Sequence, residues 1–169
     1  ADESFAGYPT YLAHRLSKAA RPARGLLARG LRRLPVRHEG VTADYMARRF
    51  LDGLDRPWAR RHQIWMGAWL PDEIGATEED WRIVDDHAAR AGRDPVARAM
   101  YLDQRLYLAE GVLVKVDRAS MAHGVEVRSP FLDYRLVELA ADVPLEMKRT
   151  GRQSKIILRK VCLLYTSPS

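Results

Sequence analysis

The chain has 169 residues, 47% hydrophobic and 30% charged, a balance that fits one globular domain and excludes disorder over most of its length. Its apolar runs are far shorter than the roughly 20 residues that a membrane-spanning helix needs, and Ala1-Asp2-Glu3-Ser4 has no signal-peptide character, so a cytoplasmic protein is expected. The net charge of +6 is regional, with 13 Lys or Arg against four acids over residues 15–61, and the single cysteine, Cys162, excludes a disulfide framework and a cysteine-rich metal site.

Apolar spacing and cap signals predict helices almost throughout, with few alternating runs that would mark strands. Residues 11–20 form a first helix. Pro22 suits the first turn of a second, whose Leu26, Leu27, Leu31 and Leu34 make an apolar stripe before Pro35 stops it. These segments carry the basic face, with Arg21, Arg24, Arg29, Arg32, Arg33 and Arg37. Such a stretch can contact nucleic-acid phosphates. Without interleaved aromatics or a nucleic-acid motif, a solvated helix face or an interface to acidic protein is the expectation, and nucleic acid is not an expected partner.

Thr42 reads as the N-cap of a helix that presents Tyr45, Met46 and Phe50 and ends near Gly53. Trp58, Trp65 and Trp69 follow at spacings of seven and four, the buried face of a helix, with ligand stacking as the alternative. Thr77 with Glu78, Glu79 and Asp80 starts the next helix, which ends by Gly92. Asp94 and Pro95 open another through Val96, Ala99, Met100, Asp103 and Leu106, with Asp103 a boundary residue or structural hydrogen-bond acceptor. Residues 113–123 make a further helix closed by Gly124. No repeat and no Pro/Gly/Ser-rich linker divides the chain, so one unit is expected.

The five histidines, His14, His38, His62, His87 and His123, are too far apart in sequence for a local metal-ligand spacing. G-x-S-x-G, P-loop and G-x-G-x-x-G motifs are absent. The stretch Leu113-Val-Lys-Val-Asp-Arg-Ala-Ser-Met-Ala-His-Gly-Val-Glu-Val-Arg-Ser-Pro-Phe-Leu-Asp133 is more informative, since it joins a polar-rich helix, a glycine stop, a charged extended turn and a new N-cap. It resembles the synthetase domain of glutamine-dependent asparagine synthetases. The resemblance continues through Leu136-Val137-Glu138-Leu139-Ala140 and Gly151-Arg-Gln-Ser-Lys155-Ile-Ile-Leu-Arg159, and Ala1-Asp2-Glu3-Ser4-Phe5-Ala6-Gly7-Tyr8 is similar to the tail of that family's Gly-rich, Asp-Glu-containing signature.

The resemblance implies a mainly α chain, the helical C-terminal part of an α/β pyrophosphatase-loop synthetase domain whose parallel sheet lies upstream. It implies ATP-dependent amidation: a substrate carboxylate, that of aspartate, is adenylated with release of pyrophosphate, and ammonia from a separate glutaminase domain displaces AMP. Asp2 matches the family's aspartate that holds Mg2+ and pyrophosphate, its plain alternative being an exposed N-cap. Lys155 matches the lysine that contacts the activated carboxylate and pyrophosphate, at a helix start where positive charge favours developing negative charge, its plain alternative being a solvated helix-start lysine. Lys148, Arg149 and Arg152 add to that field, with Arg152 grouped with the pyrophosphate site. Lys115, Asp117 and Arg118 either line the substrate cleft or form a buried ion pair. Glu126 and Arg128 are expected to brace the turn as a charge pair, and Asp133 to cap the helix after it.

The family's Ser-Gly-Gly-x-Asp-Ser loop, its sheet and its N-terminal cysteine glutaminase domain are not in these 169 residues, so the chain is read as an inactive fragment of a longer parent, for which a homodimer stays open. A related amidotransferase or ring-closing synthetase on another carboxylate is the variant within this class, and a non-catalytic basic helical module that binds nucleic acid or a partner protein is the alternative outside it. Residues 1–161 carry the resemblance, whereas Cys162-Leu-Leu-Tyr-Thr-Ser-Pro-Ser169 reads as a non-native tail that departs from the helix begun near Ser154.

Overall fold

Caps explain where several helices of this chain begin. In the computed structural model Thr42 accepts a bond from the Tyr45 amide at the start of α3, Asp94 accepts from Val96 and Ala97 at the start of α6, and Asp133 accepts from Arg135 at the start of α8. Ahead of α5, Asp80 takes both the amide and the hydroxyl of Thr77. The structure describes residues 1–33 and 42–166, excepting the side chains of Arg32, Tyr165 and Thr166. Leu34, Pro35, Arg37, His38 and Ser167, Pro168 and Ser169 lie outside the described residues.

The elements in order are α1 (Pro9–Ala20), a 3-10 turn (Arg21–Ala23), α2 (Arg24–Arg32), α3 (Ala43–Gly53), α4 (Trp58–Met66), a 3-10 turn (Pro71–Glu73), α5 (Glu78–Arg90) and α6 (Pro95–Leu102). A π-helical stretch (Asp103–Leu113) leads into α7 (Val114–Met121), followed by a 3-10 turn (Pro130–Leu132), α8 (Tyr134–Asp142), α9 (Leu145–Lys148), β1 (Arg149–Thr150), β2 (Gln153–Ser154) and α10 (Ile156–Thr166). The chain is thus mainly helical, as expected, with a two-stranded antiparallel hairpin pairing Arg149 with Ser154 and Thr150 with Gln153. No helix among the described residues is long and apolar enough to cross a membrane.

Four expectations are corrected. The hairpin has two residues per strand, too few for an alternating pattern to register. The helix through Asp103 widens to π winding, a feature that hydrophobic spacing does not encode. Trp69 is not on the Trp58–Trp65 helix face: α4 stops at Gly67, whose backbone is extended, and Trp69 is exposed. The segment from Cys162 does not break the helix, since α10 runs on to Thr166.

The chain forms two compact units, Ala1–Leu12 with Ala91–Ser169, and Ala13–Arg90. Two units need no Pro/Gly/Ser linker when the boundaries fall within α1 and at the end of α5. In the first, Ala6, Tyr11, Val96, Ala99 and Met100 form the core, with Tyr8 and Leu145 packed on it. The second buries Leu51, Leu54, Ala59, Ile64, Val84 and Ala88. The exposed Leu26 and Leu27 show that the stripe of α2 is not part of that core.

The second unit also accounts for much of the basic stretch. The last carbonyls of an α-helix have no partner within it. Here arginines reach several of them: Arg21 and Arg61 donate to the Leu54 carbonyl after α3, Arg48 to Leu31 in the last turn of α2, and Arg49 to Gly67 after α4. Positive charge at a helix C-terminus also complements the helix dipole. Arg24 pairs with Asp55, and Arg60 with Glu78 and Asp85. These contacts engage six arginines of the basic region within the fold.

Candidate functional site

Residues 1–8 fold into a turn closed by the Gly7 amide, which donates to the Asp2 carbonyl at 2.9 Å. Asp2 and Lys155, the two residues singled out from opposite ends of the chain, meet there: the Lys155 ammonium lies 2.8 Å from Asp2 Oδ1, with both side chains about one-third exposed. Gly7 makes room for them. A Cβ at Gly7 would lie 1.8 Å from Asp2 Oδ1 and 2.7 Å from Lys155 Cε, so no side chain fits while the pair is in place. The expected N-cap alternative for Asp2 is not what forms, because its carboxylate faces a lysine.

Two non-glycine residues among those described have positive φ, Ala6 at +53° and Lys155 at +54°, and both belong to this site. Left-handed backbone costs an L-residue about 1–2 kcal/mol, so the surrounding structure must hold it. Arg149 does so for the turn. Its buried guanidinium donates through Nη1 to the carbonyls of Ala6 and Tyr8, at 3.0 and 3.2 Å. From the other side Gln104 Nε2 reaches Ser4 Oγ at 3.3 Å.

Two tyrosines anchor on buried carboxylates, Tyr8 at the end of the turn and Tyr11 in α1 just after it. The Tyr8 hydroxyl donates to the buried Glu3 carboxylate at 2.6 Å, and the Tyr11 hydroxyl to the fully buried Asp103 at 2.5 Å. Burial, then the neighbouring carboxylate, pushes both phenols far above the usual tyrosine range. Both therefore stay neutral donors at ordinary pH. Asp103 is the structural acceptor that its place among apolar residues suggested.

The other singled-out residues lie elsewhere. Lys115, Asp117 and Arg118 are exposed on α7, which removes the buried ion pair weighed for them. Glu126 and Arg128 form the expected pair at 2.8 Å on the surface. Asp133 caps α8 and also holds the Arg135 guanidinium, which keeps its carboxyl below the usual range. Arg152 is exposed in the hairpin turn. Lys148 and Arg149 are buried rather than part of a solvated basic loop; burial lowers the Lys148 pKa against the opposing pull of Asp142.

In the second unit the His14 and His62 rings meet at 3.0 Å, Nε2 to Nδ1, beside Trp65. Elsewhere in this unit an apolar cleft of about 310 Å³ is lined by residues that include Gln63, Trp69, Ile74 and Trp81. No cluster of three or more His, Cys, Asp or Glu among the described residues could hold a metal ion.

The sequence matches the asparagine synthase family over residues 1–168. The chain belongs to that family. A Mycobacterium bovis protein and a Mycobacterium tuberculosis protein, each provisionally named asparagine synthetase (glutamine-hydrolysing), are 31% identical over 168 residues, covering 95% of this chain and 25% of theirs. Asparagine synthetase (glutamine-hydrolysing) 3 of Bacillus subtilis is 41% identical over 69 residues, covering 41% of this chain and 11% of its own. No solved structure shows a significant match. The chain thus spans about a quarter of the length of its mycobacterial relatives, and the family match continues past Val161 into the segment expected to stand apart.

Gly7 and Arg149 are residues of this cluster whose roles sequence reasoning missed. Gly7 lay within the quoted signature, but the need for it arises only where Lys155 arrives. Arg149 was read as a contributor of charge, whereas its guanidinium is spent on two backbone carbonyls.

Proposed function

We propose that the chain is part of the synthetase domain of a glutamine-hydrolysing asparagine synthetase, acting with an upstream parallel sheet that carries the phosphate loop. In this reading the longer protein adenylates the side-chain carboxylate of aspartate with ATP, forming β-aspartyl-AMP and releasing pyrophosphate. Ammonia from a glutaminase domain then attacks the acyl carbon, AMP leaves, and asparagine forms.

Asp2 supplies one hard carboxylate oxygen, and the other acid of the turn, Glu3, is engaged by Tyr8. That donor set fits a Mg2+ shared with phosphate oxygens and water, not an all-protein cage. Bound there, Mg2+ would supply charge neutralisation to the phosphates. Lys155 presents a compact cation to pyrophosphate and to the oxyanion that develops as ammonia attacks the acyl carbon. Arg152, exposed in the adjoining hairpin turn, adds charge toward the same anion. Lys115, Asp117 and Arg118 are assigned to the substrate cleft of the longer protein.

The observation that carries this reading is the Asp2–Lys155 contact, made against Gly7 with Lys155 itself in left-handed backbone, within a family match that spans both. ATP–pyrophosphate exchange with aspartate tests it. In the longer protein, Lys155→Met and Asp2→Asn should each lower exchange by about 100-fold or more, and these 169 residues alone should show none. Wild-type exchange in both variants would sink the reading; exchange with a different carboxylate in place of aspartate would move it to a related amidotransferase or ring-closing synthetase.

A further inference from the structure

We propose that Arg149 is the positioning residue that fixes the separation between Asp2 and Lys155, an inference that rests on the amide-forming reading above. Its geometry joins the two halves of the site. The backbone of Arg149 pairs with Ser154 in the hairpin, and Ser154 directly precedes Lys155. Its side chain holds the carbonyls of Ala6 and Tyr8, which flank Gly7, the residue against which the Asp2–Lys155 pair is seated. One residue therefore links the strand that delivers the cation to the turn that delivers the carboxylate.

The link bears on strained backbone at both ends. The Ala6 carbonyl belongs to a left-handed residue, and Lys155 is left-handed too. A planar guanidinium with two acceptors fixes both distance and direction, which a lysine ammonium on a flexible stem does not. Misplacement by about 1 Å is enough to lower turnover on the order of 100-fold.

The test uses Arg149→Gln, Arg149→Lys and Arg149→Ala in the longer protein. Each should lower the kcat of ATP–pyrophosphate exchange by about 10- to 100-fold, with the aspartate KM within about threefold of wild type. Added guanidinium ion should restore part of the rate to Arg149→Ala. Hydrogen exchange, read without substrates, should speed at the Gly7 amide and leave residues 13–90 unchanged. Wild-type kcat in folded Arg149→Lys, or a rate loss in Arg149→Ala that guanidinium leaves untouched, would overturn the inference, as would faster exchange spread over the whole chain. Full exchange in Asp2→Asn and Lys155→Met defeats the amide-forming reading; loss in those two beside normal turnover in the Arg149 variants defeats the positioning role alone.

Discussion

Both compact units bury arginine and both bury other polar side chains, yet the partners differ. In the unit built from residues 1–12 and the segment from Ala91, Arg149 and Gln104 reach a single turn from positions remote in sequence, and Asp103 holds Tyr11 in the helix that follows it. In the unit of residues 13–90, Arg48, Arg49 and Arg61 each reach carbonyls at or near helix ends. A hydrogen bond to a charged group contributes about 1.5–3 kcal/mol in either place. The first arrangement puts that stabilisation into strained backbone and into seating two opposite charges that are each about one-third exposed. The second spends it on closing helices. Buried polar groups of similar strength thus seat the Asp2–Lys155 pair in one unit and close helices in the other.

The two crowded glycines give the sharpest way to break this comparison. Gly7→Ala places a methyl group on the Asp2 carboxylate, so the Asp2–Lys155 pair must separate. Exchange activity of the longer protein should fall about 100-fold, with the melting temperature nearly unchanged because both side chains can move into solvent. Gly53→Ala places its methyl 2.6 Å from Trp65 Nε1, an indole that donates to the Phe50 carbonyl and stacks on the Phe50 ring. Overpacking there should cost about 1–3 kcal/mol and leave the proposed exchange activity of the folded longer protein intact. If Gly7→Ala lost stability while Gly53→Ala lost turnover, the division between site and scaffold would be wrong.

The same contrast explains what was legible in the sequence. Caps at Thr42, Asp94 and Asp133 were readable because their partners lie two or three residues away. Asp2 and Lys155 were readable through motif resemblance, although nothing local joined them. Gly7 and Arg149 were not, since each acts on residues that only the folded chain brings near. Trp69 misled because a spacing of four from Trp65 presumes that α4 continues past Gly67. The basic stretch was half legible: a helix face was expected, but which carbonyls the arginines would cap depends on how α2, α3 and α4 pack.

Acid should separate the units more gently. Burial, with the nearby His62 and the Arg61 charge adding to it, lowers the His14 pKa from 6.5 to about 2. Between those values the unfolded chain binds a proton that the folded chain does not, so stability falls as pH drops below 6.5 and is fully present above it. The loss is about 1.4 kcal/mol per pH unit. Urea midpoints measured from pH 7.5 to 4.5 should therefore decline, and His14→Gln should flatten the decline after its own offset. An unchanged slope in that variant would mean that His14 does not carry the acid sensitivity of this unit.

The smallest effect concerns helix starts, where the units again differ. Asp94 accepts two amide bonds at the head of α6, at 3.0 and 2.8 Å, while Thr42 accepts one at 3.4 Å at the head of α3. Loss of an N-cap costs about 1 kcal/mol on average. Asp94→Ala should reach that value, since the carboxylate also complements the positive end of the helix dipole, and should lower the melting temperature by about 2–4 °C. Thr42→Ala should cost less than half as much, because its single bond is long and exposed. The order of the two is the informative result: α6 carries Val96, Ala99 and Met100 into the core beneath Ala6 and Tyr11, so fraying its first turn loosens the packing under the Asp2 turn, whereas fraying α3 opens a helix whose first residues are already half in water.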